Sequence, residues 1–167
     1  MDLAFEPLRK SHDRASFTSG DALLDDWFHK RALQDEKRNI ARVFVAIDRS
    51  HDNTIAGFYS LSAFTIALDS IPDDLKNRLP RYEAIPAALI GRLARAESYR
   101  GQGIGELLLA DAIKRILAAD QTLAIFAIVV DANEAAREFY RSFGFIPFPT
   151  SPGRFFLLTS TARGALR

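Results

Sequence analysis

Cysteine is absent from the 167 residues. That excludes disulfides, thiolate metal sites and any cysteinyl acyl intermediate. An excess of either charge is missing too: 22 Lys and Arg stand against 21 Asp and Glu, a net charge of +1. Such a balance argues neither for nor against a polyanionic partner. Long hydrophobic runs are lacking; the longest, such as 123–130, falls far short of the ~20 residues that cross a bilayer. The stretch after Met1, with Asp2, Glu6 and Arg9, lacks the cationic and apolar regions of a signal peptide. A cytoplasmic location is therefore expected, with no membrane partner. Repeats and low-complexity tracts are absent as well, so one domain over residues 1–167 is expected. With 48% apolar and 26% charged residues, the composition is that of an ordinary globular chain.

Hydrophobic patterning predicts an α/β chain with a mixed sheet. Residues 3–8 read as a short strand. The turn signal Phe17-Thr18-Ser19-Gly20-Asp21 leads into a helix in which Leu24, Trp27 and Phe28 recur at i, i+3 and i+4. Residues 34–38 end that helix or begin a second. Strands follow at 42–47 and 54–68, joined by a polar turn, and the proline-punctuated 71–80 holds at most a short helix. The apolar segments 87–96 and 123–130 read as buried strands. Between them a glycine cluster leads into a long amphipathic helix carrying Ile104, Leu108, Leu109, Ala112, Ile113, Ile116 and Leu117 on one stripe. Strand, turn, helix and strand make one βαβ unit, so these two strands should be parallel neighbours. Asn133 is placed to cap a helix over 134–143, with Gly144 ending it. Phe139 and Phe143 form an i, i+4 pair that reads as core. Strands at 145–148 and 155–159 close the chain.

The stretch Glu97-Ser98-Tyr99-Arg100-Gly101-Gln102-Gly103-Ile104-Gly105 carries the most chemical information. Its glycines bring backbone N–H groups close to a ligand, and the following helix adds unpaired N–H groups and a positive dipole end. Together with Arg100 these make a pyrophosphate cradle. The plain alternative is a loop whose glycines only permit a tight turn. The order Arg-x-x-Gly-x-Gly is neither the dinucleotide fingerprint nor a Walker sequence.

In this setting the pattern resembles motif A of the GNAT N-acetyltransferase superfamily. Residues 133–145, Asn-Glu-Ala-Ala-Arg-Glu-Phe-Tyr-Arg-Ser-Phe-Gly-Phe, resemble its motif B. The resemblance implies a mixed central sheet with helices on both faces and a splayed parallel strand pair holding acetyl-CoA. Leu93, Ala94 and Arg95 would then line the pantetheine arm. Arg100, Gly101, Gln102, Gly103, Ile104 and Gly105 would hold the pyrophosphate. Asn133 would contact the arm or only cap its helix, and Ala136 would share a helical face with Tyr140. The resemblance also makes Tyr140 the general acid for the leaving thiolate, a plausible transfer because thiol and phenol pKa values, about 8.5 and 10, lie close together. Without the resemblance Tyr140 reads as a core residue with its hydroxyl at the surface.

No side chain stands out as a general base. Glu97 reads as structural. His12, His29 and His51 lie in polar surroundings without metal-ligand spacing and read as surface residues, so no metal is expected. A missing base favours an acceptor amine of low pKa, such as an α-amine near 7.7–8.0 (about 2.5 units below lysine).

From Leu75 to Arg100 the local charge is +4; a solvated face is the usual explanation of such a run, and the alternative is that Lys76, Arg78, Arg81 and Arg92 bind a phosphate backbone. A second set of residues points the same way. Phe17, Gly20, Leu24, Asp25, Trp27 and Phe28, then residues 56–61, Ile85-Pro86 and Gly91-Arg92-Leu93-Ala94 resemble the TacT-like toxin branch of type II toxin–antitoxin systems. That likeness implies acetyl transfer to the α-amine of aminoacyl-tRNA, which blocks translation. It further implies a ribbon-helix-helix antitoxin, DNA contact only through the antitoxin complex, and a homodimer. Arg95-Ala96 departs from the branch, whose members usually carry an apolar residue and then an acid at these two positions. Two other readings stay open: an acetyltransferase for a small amine or protein N-terminus, and a non-catalytic module binding acetyl-CoA or antitoxin.

Overall fold

The structure is a computed structural model in which residues 1–165 are described. Seven strands form one mixed sheet: β1 (Leu3–Pro7), β2 (Arg42–Asp48), β3 (Thr54–Ala67), β4 (Ala84–Arg95), β5 (Ala127–Asp131), β6 (Ile146–Phe148) and β7 (Ser151–Leu158). Their spatial order is β1-β2-β3-β4-β5-β7-β6. The helices are α1 (Ala22–Lys30), α2 (Ala32–Lys37), α3 (Asp73–Lys76), α4 (Ile104–Ala119), α5 (Arg137–Ser142) and α6 (Thr159–Ala165). Among the described residues no helix is long and apolar enough to cross a membrane. By its contacts the chain divides into two compact units, Met1–Ser62 with Gly91–Ala112, and Ala63–Ile90 with the chain from Ile113 onward.

The first unit is built around aromatic rings delivered by α1 and β3. Asp21 caps α1 by accepting from the backbone N–H groups of Leu23 and Leu24. This fixes the helix so that Trp27 and Phe28 turn inward, 5% and 0% exposed. Phe28 stacks on Phe58 at 4.1 Å, and Phe17 meets Phe58 edge-on at 5.4 Å. Ile104, Leu108 and Leu109 of α4 are buried in the same unit. Gly57 lets these elements approach, because a Cβ there would sit 2.6 Å from Leu108 Cδ1 and 2.9 Å from the Ala94 carbonyl oxygen.

A second cluster, including Ile66, Ile71, Leu75, Ile85, Val129 and Phe156, forms the core of the other unit. There β4 and β5 run parallel with Ala87 opposite Ala127 and Ile90 opposite Val130. The paired register stops at Ile90, whereas β4 continues to Arg95.

The mixed α/β class and the parallel pair agree with the sequence reading, and several boundaries do not. β5 starts at Ala127 rather than Leu123, which is 72% exposed. The apolar run misleads because Asp120 accepts from the Ile125 N–H at 2.8 Å, holding residues 120–125 as a turn after α4. Residues 134–143 split into a 3-10 turn, Glu134–Ala136, and the shorter α5. Phe143 is 41% exposed rather than core, although its ring does meet Phe139 at 5.1 Å. Helix α6 carries no apolar period strong enough to announce it; its one buried apolar side chain among the described residues is Ala162.

Candidate active site

The glycine loop lies between β4 and α4, as its sequence predicts. A 3-10 turn, Glu97–Tyr99, leaves β4 and is tied down by backbone bonds where it begins. Ala96 N–H donates to the Ala56 carbonyl at 2.8 Å, and Glu97 N–H donates to the Thr18 carbonyl at 2.8 Å. Gly101 and Gly103 then take φ values of +78° and +76°, the left-handed region that favours glycine. A Cβ at Gly101 would meet nothing within 4 Å among the described residues, so conformation and not crowding calls for glycine there.

The loop divides its own donors. Arg100 and Gln102 spend their N–H groups internally, on the Glu97 and Tyr99 carbonyls at 3.1 and 3.3 Å. Among the described residues the N–H groups of Gly103, Ile104 and Gly105 have no backbone acceptor. They open the 16-residue helix α4 and carry its positive dipole end. The Arg100 side chain is exposed beside them. Arg95, at the end of β4, keeps a buried Nη1 without a hydrogen-bond partner among the described residues. An orphaned buried guanidinium N–H is costly unless an acceptor meets it. Open donors and an unmet cation fit an anionic ligand such as the pyrophosphate of acetyl-CoA.

Tyr99, a residue that sequence reasoning passed over, anchors this loop. Its hydroxyl donates to Asp48 Oδ2 at 2.8 Å. Asp48 is fully buried and also accepts from Ser50 Oγ at 2.6 Å, the Asp2 N–H at 3.0 Å and the Ser50 N–H at 3.1 Å. The Ser50 hydroxyl bond first, then the Asp2 N–H, holds the Asp48 carboxyl well below the usual carboxylate range. Burial first, then Asp48, pushes the Tyr99 phenol up to about 12. Donor and acceptor therefore keep their protonation states across any working pH. The sequence signal was the Asp-x-Ser turn at 48–50 after a strand, a pattern in which an aspartate accepts from the backbone two residues on.

Tyr140 lies on α5 in the other unit and is 4% exposed. Its ring is packed edge-on against Phe139 at 5.1 Å and Phe145 at 5.4 Å. Burial raises its phenol above the ordinary value, so it is a neutral proton carrier. Its hydroxyl has no hydrogen-bond partner among the described residues. Asn133 accepts from the Ala136 N–H at 2.9 Å, which is the capping geometry expected for it. Ala136 ends the 3-10 turn that leads into α5. Leu93 and Arg95 occupy alternate positions on one face of β4, and Ala94 is buried on the other.

The predicted cations fall into different settings. Lys76, Arg78 and Arg81 share one segment, but Lys76 is paired with Asp69 at 2.6 Å. Arg78 and Arg81 are exposed and have no ion-pair partner among the described residues. Arg92 belongs to the first unit and lies flat over the Trp27 ring, 4.0 Å from its centroid. Desolvation lowers its pKa, partly offset by Asp35. Asp35 also accepts from Trp27 Nε1 at 2.9 Å. The half-buried arginine on an indole platform left no trace in the sequence beyond the two residue types.

The histidines differ from the surface reading. His51 is exposed, but the His12 side chain is only 6% exposed. Its Nδ1 accepts from the Arg9 N–H at 2.8 Å, so Nε2 carries the proton and donates to Glu6 at 2.6 Å. His29 donates from Nε2 to the Phe17 carbonyl at 2.7 Å. Both His12 and His29 are thus committed to holding the chain leading into α1. Glu97 packs over Gly20, where a Cβ would sit 2.6 Å from its Oε1.

Residues 5–145 match the acetyltransferase (GNAT) family, and the chain belongs to that family. A tRNA-acetylating toxin of Mycobacterium tuberculosis is 36% identical over 155 residues, spanning 92% of this chain and 90% of that protein. Among solved structures, AtaT complexed with acetyl-methionyl-tRNAfMet is 26% identical with a TM-score of 0.90, covering 99% of this chain and 100% of that one. A tyrosine-to-phenylalanine variant of AtaT, bound to the C-terminus of the antitoxin AtaR and acetyl-CoA, is 25% identical with a TM-score of 0.83. It covers 99% of both chains.

Proposed function

We propose that this acetyltransferase is a toxin that moves an acetyl group from acetyl-CoA to the α-amine of aminoacyl-tRNA and so stops translation. The observation that carries the reading is the likeness to a tRNA-acetylating toxin along nearly the whole chain, 36% identity over 92% of its length. Acetyl-CoA supplies the activated acetyl thioester. The N–H groups of Gly103, Ile104 and Gly105, with Arg100, hold its pyrophosphate. Gly101 and Gln102 shape that turn. Leu93 offers its backbone to the thioester end, Ala94 packs the strand beneath it, and the unmet Nη1 of Arg95 faces an acceptor on the same substrate. Asn133 and Ala136 set the start of α5, and Tyr140 gives its proton to the leaving thiolate, the phenol being restored by the proton that the acetylated amine releases.

No general base is required of the chain, because an α-amine of pKa about 8 is partly neutral near pH 7. The exposed Arg78 and Arg81, followed by Lys76 and Arg92, contact the tRNA backbone. A ribbon-helix-helix antitoxin is the neutralising partner, with DNA reached only through that complex. The working form is a cytoplasmic homodimer of single-domain chains.

The test is transfer of labelled acetyl from acetyl-CoA to total charged tRNA, with deacylated tRNA beside it. Label on charged tRNA alone is expected, and hydrolysis followed by mass analysis identifies the amino acid. No label on tRNA, with label on peptides or small amines instead, overturns the reading. Replacing Arg78 and Arg81 together by Ala should weaken tRNA binding at all sequences and reduce the slope of log K against log salt by about 1 to 2. An unchanged slope removes both from the interface.

A further inference from the structure

We infer that the Tyr99–Asp48 hydrogen bond is the positioning device of the pyrophosphate loop, so that these two residues set affinity for the nucleotide end of the acetyl donor without touching it. The inference rests on the acetyl-CoA reading above. Tyr99 directly precedes Arg100 and Gly101, and its carbonyl accepts from the Gln102 N–H at 3.3 Å. Its backbone is therefore part of the loop while its side chain leaves it. Among the described residues, the Tyr99 hydroxyl makes the one side-chain hydrogen bond by which residues 96–103 reach the rest of the chain.

The receiving group is unusually rigid. Both oxygens of Asp48 are engaged: Oδ1 takes the Asp2 N–H, the Ser50 N–H and the Ser50 hydroxyl, and Oδ2 takes Tyr99 and faces His51 Nδ1 at 2.9 Å. It sits at the end of β2, paired through Leu3 with β1 and through Thr54 with β3. The carboxylate is thus held by the sheet and by the turn that follows it. In contrast, Gly101 has open space where a side chain would be, and both loop glycines sit in a region that glycine enters and leaves without steric cost. Nothing inside residues 100–103 makes that conformation stiff. Stiffness has to come from the ends, and Tyr99 is the end that has a side-chain tether. A loop whose donors are preset binds a diphosphate without first being ordered.

A purely structural tyrosine would weaken every ligand and every rate in proportion to lost fold. A positioning tyrosine affects only the part of the donor that the loop grips. Acetyl transfer to charged tRNA is therefore measured with acetyl-CoA and with acetyl-pantetheine, which lacks the pyrophosphate and nucleoside. Calorimetric binding of CoA to the same proteins accompanies it. For Tyr99→Phe the expected result is a KM for acetyl-CoA raised about tenfold with kcat within about twofold, and an unchanged kcat/KM for acetyl-pantetheine. Asp48→Asn should do the same in the same direction. Val43→Ala, a buried change on β2, is the stability control: it lowers Tm and leaves the ratio of the two donors as in the wild type. Equal losses with both donors, or no loss with either, overturn the inference while leaving the acetyl-CoA reading intact. Wild-type protein that binds no CoA overturns the reading itself.

Discussion

Tyr140→Phe should reduce kcat for acetyl transfer by about 100- to 1000-fold while Tm and the KM for acetyl-CoA stay near wild type. The substitution removes one oxygen and keeps the ring that meets Phe139 and Phe145 edge-on. The lost hydroxyl has no hydrogen-bond partner among the described residues, so no internal bond is broken and no buried acceptor is stranded. A surface-like stability change within about 0.5 kcal/mol is expected. The whole effect then falls on the proton.

Burial holds the phenol above its ordinary pKa, which makes it a weaker acid but a reliably protonated one. Stopped-flow release of thiol, measured beside thermal denaturation, checks this. A variant that turns over at the wild-type rate would take Tyr140 out of the chemistry, and expression of the variant in cells would then remain toxic.

The chemistry-bearing segments were legible because they are local. A glycine cluster between an apolar strand and an amphipathic helix needs only neighbours in sequence, and Gly101 and Gly103 do adopt the left-handed backbone that such a cluster signals. The cap at Asn133 is local too, a side chain meeting an N–H three residues on. What escaped depends on partners far along the chain. Tyr99 meets Asp48 across 51 positions, and Arg92 lies on Trp27 across a longer span still. Periodicity and spacing carry no information about such pairs. Composition misled in the opposite direction at 123–125 and at Phe143. There apolar residues stand where a turn and the exposed end of a helix occur, because burial is decided by what packs on a segment and not by the segment alone. The histidines show the same limit. Polar neighbours suggested a surface, yet His12 is enclosed by them and satisfied on both ring nitrogens.

Gly57→Ala is the second large effect expected, and it joins the core to the site. Gly57 lies on β3 with Ala94 of β4 and the first turns of α4 directly against it. An added Cβ would meet three atoms: Leu108 Cδ1 at 2.6 Å, the Ala94 carbonyl oxygen at 2.9 Å and Ile104 Cγ2 at 3.3 Å. The leucine methyl can swing away by changing rotamer. The carbonyl oxygen cannot, because Ala94 is buried within β4. Relief must come from β4 moving off β3 or from α4 backing away, and the glycine loop is strung between those two elements. Overpacking of this kind costs about 1–3 kcal/mol, or roughly 2–10 °C in Tm for a chain of this size. The displacement also moves Ile104 relative to Ala94, so the N–H groups of the loop lose their common focus. Acetyl-CoA affinity should fall with stability, by about tenfold or more, and the loss should persist well below Tm. Calorimetric titration at low temperature checks this against an equally destabilised control, Val43→Ala. Equal affinity in the two variants would mean that the close approach at Gly57 serves packing alone.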